Sequence, residues 1–301
     1  MRIHFYILSV TACLSVILTA SASEDTYFPL PLFPELNQRF KISYFIDNEK
    51  KLSPPTGILI EASLEVKKIT PDGFIAEWTT NLAQTKDDLL IKSNSPQASS
   101  LLIGVPLQFH ANANGTPLKV VDIDNILTSI TNSVAFSEVE PKVLQQVISF
   151  ISSMSEESLA QLFFQVPSFM AACQGTNLKI GELSRKQVPI ENPFGGQDIL
   201  SEVEFLLRHI DELKKEVEIG YSSNYNIEGN DGIIEQIYKS LGLNDAIPHD
   251  KLDDLTLSRT DSSTCLVDID TGWVTLMEHT IETKINGESK LERYTVIVES
   301  D

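Results

Sequence analysis

Four turn signals constrain this chain more than anything else in it. Asp72 with Gly73, Asn114 with Gly115, Thr271 with Gly272 and Asn286 with Gly287 each stand between runs of alternating apolar and polar residues. Alternation of period two puts every second side chain on one face of a strand, and a small polar residue followed by glycine lets the chain reverse tightly. Around the first signal, Ile60, Ala62, Leu64 and Val66 alternate with Glu61, Ser63, Glu65 and Lys67, and Phe74, Ala76 and Trp78 carry the apolar face back. Asp72 and Gly73 are expected to supply two positive-φ positions between them. The second signal joins residues 106–113 to 116–122, and the last closes a hairpin on Tyr294, Val296 and Val298. Each half-apolar strand needs a wet face and a dry one, so these segments read as antiparallel sheet. Asn114 also opens a glycosylation sequon with Thr116, which a hairpin tip explains without sugar.

Between the sheet-forming halves the period changes to that of a helix. Ile123, Ile126, Leu127, Ile130 and Val134 form one stripe, and Val139, Val143, Leu144, Val147, Ile148 and Ile151 form another. Ser137 with Glu140 has the form of a capping box, and Pro141 is tolerated in a first turn. Ser155, followed by Glu156 and Glu157, opens a third helix through Leu159, Leu162, Phe163, Val166, Phe169 and Met170, which Pro167 should bend or end. Residues 174–198 read as a loop-rich crossover with one strand. Residues 199–224 are ambiguous. Val203, Leu206, Leu207, Ile210, Leu213 and Val217 fit a helix, slightly favoured by local periodicity. Val203, Phe205 and Leu207, then Val217, Ile219 and Tyr221, fit two strands around Asp211 and Glu212. A short helix is expected at 231–241, ended by Gly242. The fold class is therefore α+β, a curved antiparallel sheet (a half-barrel) packed on a central block of short helices. One domain is expected over 23–301, with strands at about 38–122, helices at about 123–173, and strands with one helix at about 176–300.

The first 22 residues read as an export signal: Arg2, an apolar run over 5–18, and the small residues Ala20, Ser21 and Ala22 before polar Ser23. Val10 to Cys13 also fits a lipobox, with lipid on Cys13. The greasy stretch that cleavage there would leave makes ordinary processing the expectation. Either way no transmembrane span remains, and the protein is expected in the periplasm or outside the cell. Acids outnumber bases 42 to 23, which argues against nucleic acid as a partner. Apart from Cys13 the chain has only Cys173 and Cys265, an even pair expected to form a disulfide in an oxidising compartment.

The order strands, helical block, strands, with Asp270, Thr271, Gly272 and Trp273 entering a long terminal hairpin, resembles a group of uncharacterised exported bacterial proteins. It is also similar to the LolA/LolB-type lipoprotein carriers, in which a curved antiparallel sheet wraps around helices. The stretch from Leu64 to Gly73, and that from Gly104 through Phe109 to Asn114 and Gly115, add to the likeness. The resemblance implies an apolar cavity holding acyl chains. Trp78, Phe163, Phe169, Met170 and Trp273 are then the candidate apolar ligand contacts, although such aromatics are more often core.

Catalytic and metal signatures are sparse. His110, His209, His249 and His279 are scattered without metal-ligand spacing. His249 and Asp250 with Asp253 and Asp254 form the densest ligand-like cluster, read as a solvated loop. Residues 226–232 fail the register of a calcium loop. Asp268 and Asp270 flank Ile269 and would share a strand face, as a glycosidase pair might, yet a wet strand entering a turn explains them. No nucleophile elbow, phosphate loop or dinucleotide fingerprint occurs. The expectation is a non-catalytic exported protein without cofactor or metal, binding a lipid or other hydrophobic molecule. The alternative is an envelope scaffold that binds a protein partner through its surface.

Overall fold

Two long meanders meet at the centre of one antiparallel sheet. The computed structural model describes residues 28–50, 53–85, 102–132, 145, 148–149, 151–152, 154–190, 199–228, 256–285 and 288–301. The leader with Cys13, the stripe around Val139 with its capping box, the helix expected at 231–241, the His249 loop and the Asn286 turn lie outside or mostly outside these residues.

The first meander runs through β2 (Arg39–Lys50), β3 (Ser53–Thr70), β4 (Gly73–Thr85), β5 (Pro106–Asn112) and β6 (Pro117–Val121). The second runs through β8 (Leu183–Ile190), β9 (Ile199–Asp211), β10 (Glu216–Glu228), β11 (Thr256–Asp268), β12 (Val274–Ile285) and β13 (Glu288–Ser300). β13 docks on β2, with Val296 opposite Tyr44, so the sheet reads β6-β5-β4-β3-β2-β13-β12-β11-β10-β9-β8. It does not close: β6 and β8 are its edges. The edge strand β8 carries Pro189, Arg185 and Lys186, residues that discourage further pairing. A two-stranded patch joins β1 (Phe28–Pro29) to β7 (Asn177–Leu178).

The predicted alternation is the observed one. Ile60, Ala62, Leu64 and Val66 are buried, as are Phe74, Ala76 and Trp78 opposite them. A bulge inserts Asn81 into β4, so parity shifts and Ala83, not Leu82, turns inward. The first turn differs from expectation. Its two residues are Pro71 and Asp72, and neither has positive φ. Gly73 is needed instead for space, because a Cβ there would lie 2.0 Å from the Ala111 carbonyl oxygen. At the second turn Asn112 Oδ1 accepts from the backbone N–H groups of Asn114 and Thr116, at 2.9 and 3.0 Å. Only Gly115 takes a left-handed φ, of +86°. Asn114 packs against Gly175, which supports the hairpin reading of the sequon.

Residues 199–224 are two strands. Leu206, which made the helical stripe plausible, faces the opposite side of the sheet from Phe205 and Leu207, and Leu213 is fully exposed on the turn. Asp211 Oδ1 accepts from the N–H groups of Leu213 and Lys214, and Lys215 adopts φ 57° to complete the reversal.

Three helices lie from end to end among the described residues: α1 (Ile123–Asn132), α2 (Glu156–Phe163) and α3 (Gln165–Cys173). Ser155 caps α2 by accepting from Ser158 N at 3.1 Å, with Glu156 and Glu157 at its positive end. The break comes at Phe164, three residues before Pro167. Proline at 167 would clash with the Phe163 carbonyl in a continuous helix, so a new one starts with proline in its first turn. α3 is apolar on almost every side and buried nearly all round, as a core helix must be.

α2 packs on β6, while α3 packs on β10, β11 and β12. β6 and β11 stand seven strands apart, about 34 Å in a flat sheet. The two helices together reach about 27 Å at most. Sheet and helices meet because the sheet bends around them. Trp273, on the β11–β12 turn, shows the same bend: its ring centroid lies 4.5 Å from that of Phe40 on β2 and 6.0 Å from that of Phe74 on β4.

Candidate functional site: a buried polar seam on the inner face

The inner face of β11 begins as core and ends as something else. Val267 and Cys265 point inward, and Cys265 forms a disulfide with Cys173 that ties the end of α3 to the sheet. Continuing the same parity toward the start of the strand gives Ser263, Asp261 and Arg259, all buried. Antiparallel register extends each position into a row across neighbouring strands. Ser263 lies between Tyr221 and His279, and His279 faces Tyr294. Asp261 lies between Ser223 and Ile281, and Ile281 faces Glu292. The result is a seam of ionisable and hydroxyl groups inside an otherwise apolar surface.

Its groups are held firmly. Arg259 Nε donates to Asp261 Oδ1 at 2.8 Å, with both side chains about 95% buried. Lys290 Nζ donates to Glu292 Oε1. Ser201 on β9 donates to the Asn224 carbonyl at 3.0 Å, which leaves Ser223 to donate to Ser201 across 2.7 Å. Burial pushes the Asp261 carboxyl up, Arg259 opposes that, and Glu292 adds to it. A buried ion pair seldom improves stability over apolar residues of the same volume, so the fold itself does not call for this one.

His279 is the centre of the seam. It is 2% exposed, and Phe169 of α3 stacks on its ring at 3.9 Å, with Tyr294 edge-on to Phe169 at 5.2 Å. Burial, reinforced by the charge of Arg259, lowers its pKa to about 3, so the imidazole is neutral at physiological pH. Ser263 Oγ lies 2.6 Å from Nδ1, whereas Nε2 has no hydrogen-bond partner among the described residues. If Nδ1 carried the proton, both Nε2 and the serine hydroxyl hydrogen would lack partners. With serine donating to Nδ1, a single group stays unpaired, the N–H at Nε2. This is a fixed, neutral donor surrounded by aromatic rings, and it suits an acceptor oxygen on an otherwise apolar molecule.

The sequence-derived contacts Trp78, Phe163, Phe169, Met170 and Trp273 are all buried in the one core cluster. Their immediate neighbours differ. Phe169 touches His279, and Met170 is its neighbour on α3. Trp78 lies toward Tyr44 and donates to Thr80 Oγ1 at 3.2 Å, Phe163 ends α2, and Trp273 packs at the turn end of the sheet. Asp268 and Asp270 separate: Asp268 Oδ1 accepts from Thr271 N and Oγ1 at 2.7 Å each, while Asp270 pairs with Lys215. His110 sits 3.3 Å from Thr70 Oγ1 at a hairpin end, and His209 is exposed. Reading β11 backward from Cys265 in steps of two would have exposed the seam.

On the outer face, an open depression of about 330 Å³ lies around Gly220, lined largely by hydroxyls and carboxylates. Arg208 crosses it, donating to Glu218 and Thr264 at 3.1 Å each, so its charge is already engaged.

No protein-family model matches the chain, and no curated protein sequence matches it. Among solved structures, a lipovitellin described for its lipid–protein interactions overlays 89% of this chain at 8% identity and a TM-score of 0.41. The chain spans about a quarter of that protein, 25% of its length. A porin-like protein from Bacteroides uniformis overlays 88% of this chain and 96% of its own at 8% identity and a TM-score of 0.20. At such scores, function has to be read from the chain's own geometry.

Proposed function

We propose that this is an exported, non-catalytic protein that holds an amphiphilic, mainly apolar molecule between its bent sheet and its helices. The observation that carries the reading is the polar seam, and within it the unpaired Nε2 of His279. Groups so costly to bury are unexpected in the middle of an apolar face unless something uses them. An acyl chain or similar body would lie along the apolar lanes of the inner face, and a carbonyl or ester oxygen would accept from His279. The disulfide keeps α3 in register with β11, so Phe169 and His279 keep their relative placement. With its proton on Nε2 and Nδ1 taken up by Ser263, the imidazole presents no free basic nitrogen, which supports binding over general-base catalysis. Export is supported by the leader and by the disulfide.

The test is a titration of the purified protein with a fluorescent long-chain acyl ester. Saturable binding is expected, and His279→Gln, which moves the donor, should weaken it about five- to thirtyfold, the worth of one buried hydrogen bond. Absence of saturable binding, or identical affinity in the variant, would refute the reading.

A further inference from the structure

Nine large apolar side chains are exposed among the described residues, and five of them, Phe33, Leu36, Ile69, Ile180 and Leu213, gather at one end of the molecule. Backbone hydrogen bonds tie their turns together. Asn37 N donates to Val66 O at 2.9 Å, Phe33 N to Thr271 O at 2.9 Å, and Ile269 N to Lys215 O at 2.8 Å. Gly181 N donates to Leu207 O at 2.9 Å, which brings Ile180 to the same end. Each side chain sits on or beside a different reversal of the chain, except Phe33 and Leu36, which share one loop. Leu213 at the β9–β10 tip is 98% exposed, about as far out of the fold as a leucine can be. Polar residues are the usual choice for such tips.

Several charges at this end form pairs, and further acids, Glu35 and Glu212, stand exposed beside the same tips. Lys214 lies 3.6 Å from Asp211, Arg39 and Lys67 each 3.1 Å from Glu65, Lys179 3.2 Å from Glu182, and Lys215 pairs with Asp270. Ion pairs with an excess of acid around projecting apolar tips give no pull toward an anionic surface. They leave a surface without net charge, with one positive and one negative group per molecule, as the one these tips can approach.

We infer that this end of the protein docks on a zwitterionic phospholipid bilayer, with Leu213, Phe33, Leu36, Ile69 and Ile180 entering the headgroup–acyl boundary. Separate tips, each projecting past its own turn, suit a fluid interface that closes around every one of them. A protein partner would be met by a continuous patch. The inference stands on exposure and charge alone and goes beyond the binding reading, so either can fail without the other.

Flotation of the purified protein, as processed by its host, with phosphatidylcholine vesicles tests it. The protein is expected to float with neutral vesicles, with little dependence on salt. Leu213→Ser should reduce the bound fraction about fivefold, and Leu213→Ser with Phe33→Ser more than tenfold. Leu213 makes no core contact, so its substitution should leave the melting temperature unchanged. Leu200→Ser, exposed at the other end of β9, should float like the parent. The inference is overturned if the parent does not float, if it floats only with anionic vesicles in low salt, or if Leu213→Ser floats undiminished. Self-association lost in Leu213→Ser, without vesicle binding, would reassign this end to a second copy of the chain.

Discussion

The two halves of the sheet have the same construction and opposite interiors. On β2–β6 the buried face is Ile42, Ile60, Ala62, Val66, Phe74 and Phe109 with their neighbours, and Thr80 is the one buried polar side chain described on those strands. On β8–β13 the equivalent face holds Ser201, Ser223, Arg259, Asp261, Ser263, His279 and Glu292. Both halves are antiparallel meanders with wet outer faces, so topology does not account for the difference. The first half shows what the fold needs: alternation, matched register and aromatic contacts such as Phe109 on Phe164 at 4.4 Å. What the second half adds is a set of buried polar groups that the described strands of the first half do without.

The largest expected effect comes from untying the second half. Cys173→Ser with Cys265→Ser opens a loop of 92 residues and should cost about 4–5 kcal/mol by the chain-entropy account, read as a fall in the denaturant midpoint. Next is the seam. Arg259→Ala leaves Asp261 buried without its partner and should cost about 3–5 kcal/mol. Replacing Arg259, Asp261 and Glu292 together by Met, Leu and Leu should be neutral or stabilising. If the triple variant is as unstable as Arg259→Ala, the seam is structural and the contrast between the halves dissolves.

A smaller effect concerns pH. His279 has a folded pKa near 3 against 6.5 when unfolded, so between these values the unfolded chain takes a proton that the folded one refuses. Its contribution is fully present above pH 6.5 and is lost as pH falls toward 3. Asp261, raised in the fold, acts with the opposite sign, favouring the folded state at low pH. The difference between parent and His279→Gln isolates the histidine. The variant should be less acid-sensitive below pH 6.5, by up to about 1.4 kcal/mol per pH unit in chemical denaturation. Equal slopes would mean that the imidazole is not buried neutral.

Legibility in the sequence followed the same division. Where one face was apolar and the other polar, as in β3, β4 and β13, alternation alone placed the side chains correctly. The cysteine pair was equally plain, since Cys173 and Cys265 are the only cysteines of the chain besides Cys13. Between 199 and 224, apolar residues occupy both faces of β9, Leu206 outside and Leu207 inside, so period two was masked. The seam was hidden for the converse reason. Polar residues at Arg259, Asp261 and Ser263 look like a wet face, and only the parity inherited from Cys265 and Val267 turns them inward. His279 appeared isolated because its partner Ser263 lies 16 residues away, across a register that only the folded sheet defines.

The most direct test of the central claim is native mass spectrometry of the protein taken from the envelope of its own host without detergent exchange. Extra mass of one molecule per chain is expected, released on activation as an amphiphile with an apolar body and a carbonyl or ester oxygen. A bare polypeptide mass, with no such molecule in the organic extract of the same sample, would contradict it.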